Sequence, residues 1–229
     1  MENHIIICGY GRNGLKATSE LLKNNYNIVV IERNAALFKE KDAEKIPNLI
    51  FIEGDATQDE LLMQTGIKNA ATIITILPND AENVFITLIA RELNNDIKII
   101  ARASDPNSEK KLKRAGANYV VMPEFIGGVH MARLVTNPEM MAFMSIAGED
   151  INSRLRLEEI QIEKLLKNLQ SKSISDLNID KRIAIVGYRN PNRHFMFNPD
   201  HNTIVNPNRI LFLLGAHEAL ETFKKNYIL

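Results

Sequence analysis

The sequence has little cysteine, no tryptophan and no excess of charge of either sign. Its single cysteine, Cys8, lies inside an apolar run, so no intrachain disulfide can form and a reducing compartment is expected. The 28 basic and 28 acidic residues cancel, which argues against a global field that attracts nucleic acid or an anionic membrane. No apolar run approaches the roughly 18 residues that cross a bilayer, so we expect no direct membrane insertion.

Several residue patterns that are typical of metal sites and catalytic sites are also missing. The five histidines show no metal-ligand spacing with cysteine or with one another, so we expect no metal site. P-loops, nucleophile elbows and paired catalytic carboxylates are absent, which leaves no candidate catalytic residue. The first residues lead directly into an apolar run, so no signal peptide is expected.

The dominant motif is a glycine-rich turn near the start of the chain. The apolar run Ile5–Cys8 ends in Gly9-x-Gly11-x-x-Gly14, and a helical pattern follows. Gly9 permits the tight turn, Gly11 leaves room for a pyrophosphate to approach the backbone, and Gly14 lets the helix pack on the strand. The helix N-terminus adds free N–H groups and partial positive charge. This arrangement predicts a Rossmann nucleotide site; a tight turn above an empty crevice is the alternative.

An acid completes the motif. Glu32 ends the next apolar run, eighteen residues after Gly14, where it can accept hydrogen bonds from both ribose hydroxyls. Its charge favours an unphosphorylated adenosine ribose and argues against NADP. It does not distinguish NAD(H) from ADP or ATP, because all of them contain an adenosine ribose without a 2′-phosphate. We favour NAD(H) because the glycine motif is complete.

The first 122 residues alternate strand and helix patterns. Six apolar runs separated by helical segments predict an α/β fold, a Rossmann-like doubly wound parallel sheet. Thr57-x-x-Glu60, Asn79-x-x-Glu82 and Asp105-Pro106 predict helix starts. The helix after Asn79 is expected to bury an apolar stripe, formed by Phe85, Leu88, Ile89 and Leu93.

The pattern changes after the sixth strand. Residues 123–150 predict two helices rich in methionine and other apolar residues, which we interpret as crossover and dimerisation helices. Packing of these helices onto their own chain is the alternative. Residues 151–229 predict a smaller α+β domain, with Gly148-Glu149-Asp150 as a hinge before it.

The chain resembles the RCK domains (regulators of potassium conductance), which include the Trk- and Ktr-type subunits, over essentially its whole length. The matching landmarks are Gly9-Tyr10-Gly11-Arg12, Glu32, Gly54-Asp55-Ala56-Thr57, Ile100-Ala101-Arg102-Ala103, Ala115-Gly116-Ala117, Met122-Pro123, Asn198-Pro199-Asp200 and Ile210–Gly215. The combination is specific, because the Rossmann half alone occurs in many dehydrogenases.

The resemblance implies a regulatory, non-catalytic protein that is cytoplasmic and lies at the inner face of the cell membrane. Such domains form homodimers that assemble into rings, usually octamers, beneath a potassium channel or transporter pore. A ligand in the Rossmann crevice changes the angle between lobes and thereby acts on the pore. Whether this chain is a free subunit or part of a channel chain, and whether the ligand opens or closes the pore, stay open.

The resemblance also assigns residues of the glycine turn. Backbone N–H groups of Gly9, Gly11 and Asn13 are expected to face phosphate, with Tyr10 in the same turn. Arg12 is expected to neutralise phosphate charge, or else to be a solvated surface arginine.

Further candidate residues follow later strands. Asp55 and Ala56 end the third strand where similar proteins contact adenine, although Asp55 could simply stabilise a turn. Arg33 would flank the adenine face or face solvent, and Leu77 would lie under the second nucleoside. Arg102 faces the crevice, where it could meet phosphates or pair with a carboxylate.

Two departures from the family limit what is carried over. Calcium-gated relatives place Glu-x-Glu at the fifth strand, where this chain has Arg102-Ala103-Ser104, so calcium binding there is not expected. Asn208-Arg209 replaces the usual Gly-Asp before the last strand, which leaves any ligand of the C-terminal lobe open.

Two other functions compete with a regulatory role. An NAD-dependent oxidoreductase would need a general acid or base over the crevice, and a repressor would need a DNA-binding motif. Neither feature is visible in the sequence.

Overall fold

The protein is described by a computed structural model that divides into two compact units, Met1–His130 and Met131–Leu229. The residues described are 2–39, 46–146, 155–165, 167, 171–177, 179–192, 194–204 and 206–228. The hinge predicted at residues 148–150 lies outside them.

The first unit contains a six-stranded parallel sheet in the order β3-β2-β1-β4-β5-β6. Its strands are β1 (Ile5–Cys8), β2 (Ile28–Glu32), β3 (Leu49–Glu53), β4 (Thr72–Thr75), β5 (Lys98–Arg102) and β6 (Tyr119–Val121). All four residues of β1 are buried, as expected for a central parallel strand covered on both faces. The predicted doubly wound sheet is confirmed.

Helices connect these strands. They are α1 (Arg12–Lys23), α2 (Ala36–Lys39), α3 (Asp59–Gln64), α4 (Asp80–Leu93) and α5 (Pro106–Arg114), and α6 (Pro123–Thr136) follows β6. The strand order reverses between β1 and β4, which are neighbours in the sheet. Ligands of such sheets bind outside the carboxyl ends of the strands at this reversal. We call that region the crevice.

Two predicted helix starts are confirmed by their caps. The Asn79 side chain accepts a hydrogen bond from the Ala81 N–H at 2.9 Å and begins α4. Asp105 accepts from the N–H groups of Asn107 and Ser108, and Pro106 occupies the first turn of α5. In both cases a side-chain oxygen satisfies donors that a helix N-terminus leaves free.

The predicted capping box at Thr57 is wrong. Gln58, not Thr57, precedes α3, and its side chain makes no capping hydrogen bond. Thr57 instead donates from its N–H and hydroxyl to the carboxylate of Asp55, at 2.9 and 2.7 Å. The threonine is therefore part of the turn that follows β3.

The predicted apolar stripe of α4 is only partly correct. Phe85 and Leu88 are 49% and 51% exposed, whereas Ile86, Ile89 and Ala90 are buried against the sheet. The buried face is thus rotated by about one residue from the prediction. Polar residues at helix positions that face the sheet concealed this rotation in the sequence.

The second unit is an antiparallel sheet with helices. Its strands lie in the order β7-β10-β8-β9, which confirms the predicted smaller α+β unit. Its elements are α7 (Pro138–Ile146), β7 (Leu155–Gln161), β8 (Ile183–Arg189), β9 (Phe195–Phe197), β10 (Ile210–Ala216) and α8 (His217–Tyr227). Its core packs α8 on one face of the sheet through Leu211, Leu213, Leu220 and Phe223.

The helices after β6 leave much apolar surface uncovered. No residue of α6 is buried in the described part of the chain, and Val135 and Met131 are 83% and 65% exposed. Met140 of α7 is 62% exposed. Among the described residues, no helix has both the length and the apolar content that crossing a membrane would require.

Candidate nucleotide-binding site

The turn after β1 depends on Gly9, which has a φ of +107°, a value that side chains strongly disfavour. Its N–H donates to the Ile31 carbonyl at 2.8 Å, so the β1–β2 ladder continues through Gly9. The expectation that this N–H faces phosphate is therefore wrong. Gly9 shapes the turn, and its donor is used within the sheet.

Gly14 and Gly11 have different surroundings. A Cβ at Gly14 would lie 2.1 Å from the Gly9 carbonyl oxygen, so only glycine lets α1 approach the turn this closely. A Cβ at Gly11 would meet nothing within 4 Å, because Gly11 borders open space at the start of α1. One glycine is thus required for packing, whereas the other keeps space open.

The start of α1 presents unused donors. The N–H groups of Gly11, Arg12 and Asn13 have no hydrogen-bond acceptor among the residues that the structure describes. The first turn of α1 carries no acidic side chain, and the Arg12 side chain is exposed. Free N–H groups and the positive end of the helix dipole suit this place to an anion such as a phosphate.

Glu32 ends β2 beside that turn. Its Oε2 accepts from the Tyr10 N–H at 2.7 Å, and its Oε1 accepts from the Asn34 N–H at 3.0 Å. Tyr10 is buried, and its ring packs edge-on against Phe51. The N–H of Tyr10 therefore orients the carboxylate. Each carboxylate oxygen keeps capacity for a further hydrogen bond, such as one from a ribose hydroxyl.

An ion-pair network lies next to Glu32. Arg33 Nη2 donates to Asp55 Oδ1 at 2.8 Å and to Glu82 Oε1 at 3.0 Å, so Arg33 does not simply face solvent. Burial acts to raise the pKa of the Asp55 carboxyl, but hydrogen bonds from Arg33 and Thr57 outweigh it and hold the pKa at about 2. Asp55 therefore stabilises its turn as a permanently charged acceptor at neutral pH. Ala56 beside it is buried.

Arg102 is held against the sheet. Its Nη1 donates to the Leu77 carbonyl at 2.9 Å, its Nη2 donates to Glu124 Oε1 at 2.7 Å, and its side chain is only 14% exposed. Of the two predicted partners, phosphate or a carboxylate, this structure contains the carboxylate. Leu77 is buried beneath the crevice.

Two residues of this region were not anticipated from the sequence. Buried Asn83 accepts from the Leu77 N–H and donates to the carbonyls of Leu77 and Arg102, at 3.0, 2.9 and 3.1 Å, which ties the ends of β4 and β5 together. Glu124 in the first turn of α6 supplies the partner of Arg102. A polar residue among the apolar positions of α4 was a usable signal for Asn83; an acid after Met122-Pro123 was too unspecific to reveal Glu124.

Residues 5–123 match the family model described as TrkA-N domain. Potassium channel protein 1 of Methanocaldococcus jannaschii is 36% identical over 230 residues, which covers 98% of this chain and 67% of that protein. A Trk system potassium uptake protein TrkA homolog of Pyrococcus abyssi is 27% identical over 229 residues, with 97% of this chain and 96% of that protein covered.

Solved structures agree with this match. The GsuK channel bound to NAD aligns with a TM-score of 0.53 and 25% identity, over 98% of this chain and 38% of that chain. GsuK bound to ADP aligns with a TM-score of 0.51 and 30% identity, over 59% of this chain and 34% of that chain. This chain thus spans about two thirds of the Methanocaldococcus relative and little more than a third of the GsuK channel. On the family match and the near-complete alignment with that relative, the chain belongs to the TrkA-N (RCK) domain family.

Proposed function

We propose that this chain is a regulatory domain of a potassium channel or transporter that binds an adenine nucleotide in its crevice without altering it chemically. The adenosine ribose would bind Glu32, and the diphosphate would lie over the N–H groups of Gly11, Arg12 and Asn13. The single observation that carries the proposal is the juxtaposition of an oriented carboxylate and three unused donors at the reversal of the strand order.

The relatives support both halves of the proposal. A potassium channel protein and a potassium uptake protein align with nearly the whole chain, which favours a role in potassium transport. Related structures are described as bound to NAD and to ADP. We favour NAD(H), with ADP and ATP close behind, because all of them offer an unphosphorylated adenosine ribose to Glu32.

Calorimetric titration of the chain with NADH, NAD, ADP, ATP and NADPH tests the proposal. Saturable binding of the unphosphorylated-ribose ligands, with NADPH weakest, is expected because the Glu32 charge repels a 2′-phosphate. Absence of binding by every adenine nucleotide would overturn the proposal. Sustained oxidation of NADH with a small carbonyl substrate would instead favour an oxidoreductase.

The base is expected to be selected by Asp55. Its carboxylate can only accept hydrogen bonds, so it suits the exocyclic amino group of adenine and opposes the 6-oxo group of hypoxanthine. ADP should therefore bind about 10- to 100-fold more tightly than IDP, the usual cost of mismatched polar groups. In Asp55→Asn, whose amide can also donate, competition titrations should reduce this ratio to a few-fold. An equal preference in both proteins would exclude Asp55 from base recognition.

Assembly is the second part of the proposal. The exposed apolar residues of α6 and α7 are expected to pair with a second copy, and pairs to form a ring, usually of eight chains, beneath the pore. Light scattering should then give at least twice the 25.9 kDa of one chain. The double variant Met131→Glu, Val135→Glu should lower that mass. Tyr26→Glu, which places a charge at an exposed aromatic residue outside α6 and α7, should not. A monomeric wild type would contradict this assembly.

Regulation then requires differential affinity. A nucleotide shifts the pore only by as much as it binds one ring geometry more tightly than another. Glu32 and the N–H groups of α1 both belong to the first unit. The nucleotide is therefore expected to change the conformation of the first unit at the crevice before any other part of the chain responds.

A further inference from the structure

We propose that Glu124 is an intramolecular competitor of the nucleotide: it holds Arg102 in the ligand-free chain, and the ligand's diphosphate displaces it. The inference rests on the proposed function and adds to it a residue that sets nucleotide affinity. It is carried by the ion pair between the two side chains at the edge of the crevice.

Arg102 is the fixed partner of this pair. The Leu77 carbonyl holds its Nη1, and its Nε is buried without a hydrogen-bond acceptor in the described part of the chain. Because Nη1 donates to a backbone carbonyl and only 14% of the side chain is exposed, the guanidinium keeps its position and an anion must come to it. Its one observed anionic partner among the described residues is Glu124.

Glu124 is the movable partner. Its side chain is 59% exposed, against 14% for Arg102, so the carboxylate can return to water at little cost. Arg102 first, and the charge of Arg12 in addition, hold the pKa of the Glu124 carboxyl below its usual value. One carboxylate thus responds to both arginines that were proposed to neutralise phosphate.

A nucleotide diphosphate competes for the same charges. It carries more negative charge than one carboxylate and accepts hydrogen bonds at several oxygens, so it is the stronger partner for an arginine. Displacement would also free the first turn of α6 from β5, since Glu124 belongs to that turn. Occupancy of the crevice would thereby change how α6 is tethered.

The test is the affinity of ADP for Glu124→Gln, measured by calorimetry. Removal of the competitor should raise the affinity about three- to fivefold, the range for an ion pair with one exposed partner. Glu92→Gln, which changes the same charge at an exposed position near the end of α4, should have no effect. Adenosine, which lacks phosphate, should bind both variants and the wild type equally.

A double-mutant cycle with Arg102→Gln separates competition from general electrostatics. The gain from Glu124→Gln should vanish when Arg102 is absent, with thermal unfolding used to verify that each variant is folded. A gain that persists, or a loss of affinity in Glu124→Gln, would overturn the competition while nucleotide binding by the wild type upheld the proposed function. No nucleotide binding by the wild type would overturn both.

Discussion

Replacing Glu32 with alanine is expected to weaken the binding of ADP and NADH about 10- to 100-fold, which corresponds to the loss of about 1.5–3 kcal/mol in total, the range for hydrogen bonding to a charged group. The carboxylate is oriented by two backbone donors, Tyr10 and Asn34, and so needs little reorganisation to receive ribose hydroxyls. The same change should lower the preference for NADH over NADPH, because the repulsion of the 2′-phosphate is removed. Calorimetry measures both effects.

The matched control is Glu53→Ala. Glu53 pairs in register with Glu32 on the neighbouring strand and is exposed. Its replacement by alanine therefore removes the same charge from the end of the adjacent strand. A ligand-side control is 2′-deoxy-ADP, which should bind the wild type more weakly than ADP but Glu32→Ala equally well. Equal losses in the two alanine variants would exclude Glu32 as the ribose ligand.

The two glycines of the turn are expected to fail in opposite ways when each becomes alanine. Gly14→Ala places a Cβ 2.1 Å from a backbone oxygen, so we expect about 3 kcal/mol or more of destabilisation, or no folded first unit. Gly11→Ala has open space and a φ of −66°, which alanine adopts freely, so stability should change by less than about 1 kcal/mol.

The affinities separate the two glycines further. Gly11→Ala should bind ADP at least tenfold more weakly, because its methyl group enters the space beside the free N–H groups that a phosphate must reach. Chemical denaturation and calorimetry on the same samples provide the comparison. Unchanged ADP affinity in a folded Gly11→Ala would show that the phosphates lie elsewhere.

The sequence was most informative where local chemistry is decisive. Glycine spacing, apolar runs and the caps Asn79 and Asp105 depend on neighbours within a few residues, and these predictions match the structure. The capping box at Thr57 is wrong because Asp55, two residues away, accepts from the Thr57 N–H and hydroxyl. The N–H that the Glu60 side chain would accept from is therefore already used, and local patterns do not reveal which of two nearby carboxylates accepts from it.

Partners distant in sequence were the least predictable. Arg33 reaches Glu82 across 49 positions, and Arg102 reaches Glu124 across 22, contacts that exist only once the strands lie side by side. The sequence likewise predicts a phosphate contact for the Gly9 N–H, which in the structure donates to the Ile31 carbonyl and extends the β1–β2 ladder. Candidate site residues can therefore be predicted from residue type and position, whereas their hydrogen-bond partners in the folded chain require the structure.

The most direct measurement is a crystal structure of the chain grown with ADP. Density for the ribose within hydrogen-bonding distance of the Glu32 carboxylate, and for the diphosphate over the N–H groups of Gly11 to Asn13, is the expected result. A crevice filled by the protein's own side chains at saturating ADP, or a nucleotide bound away from Glu32, would contradict the central claim.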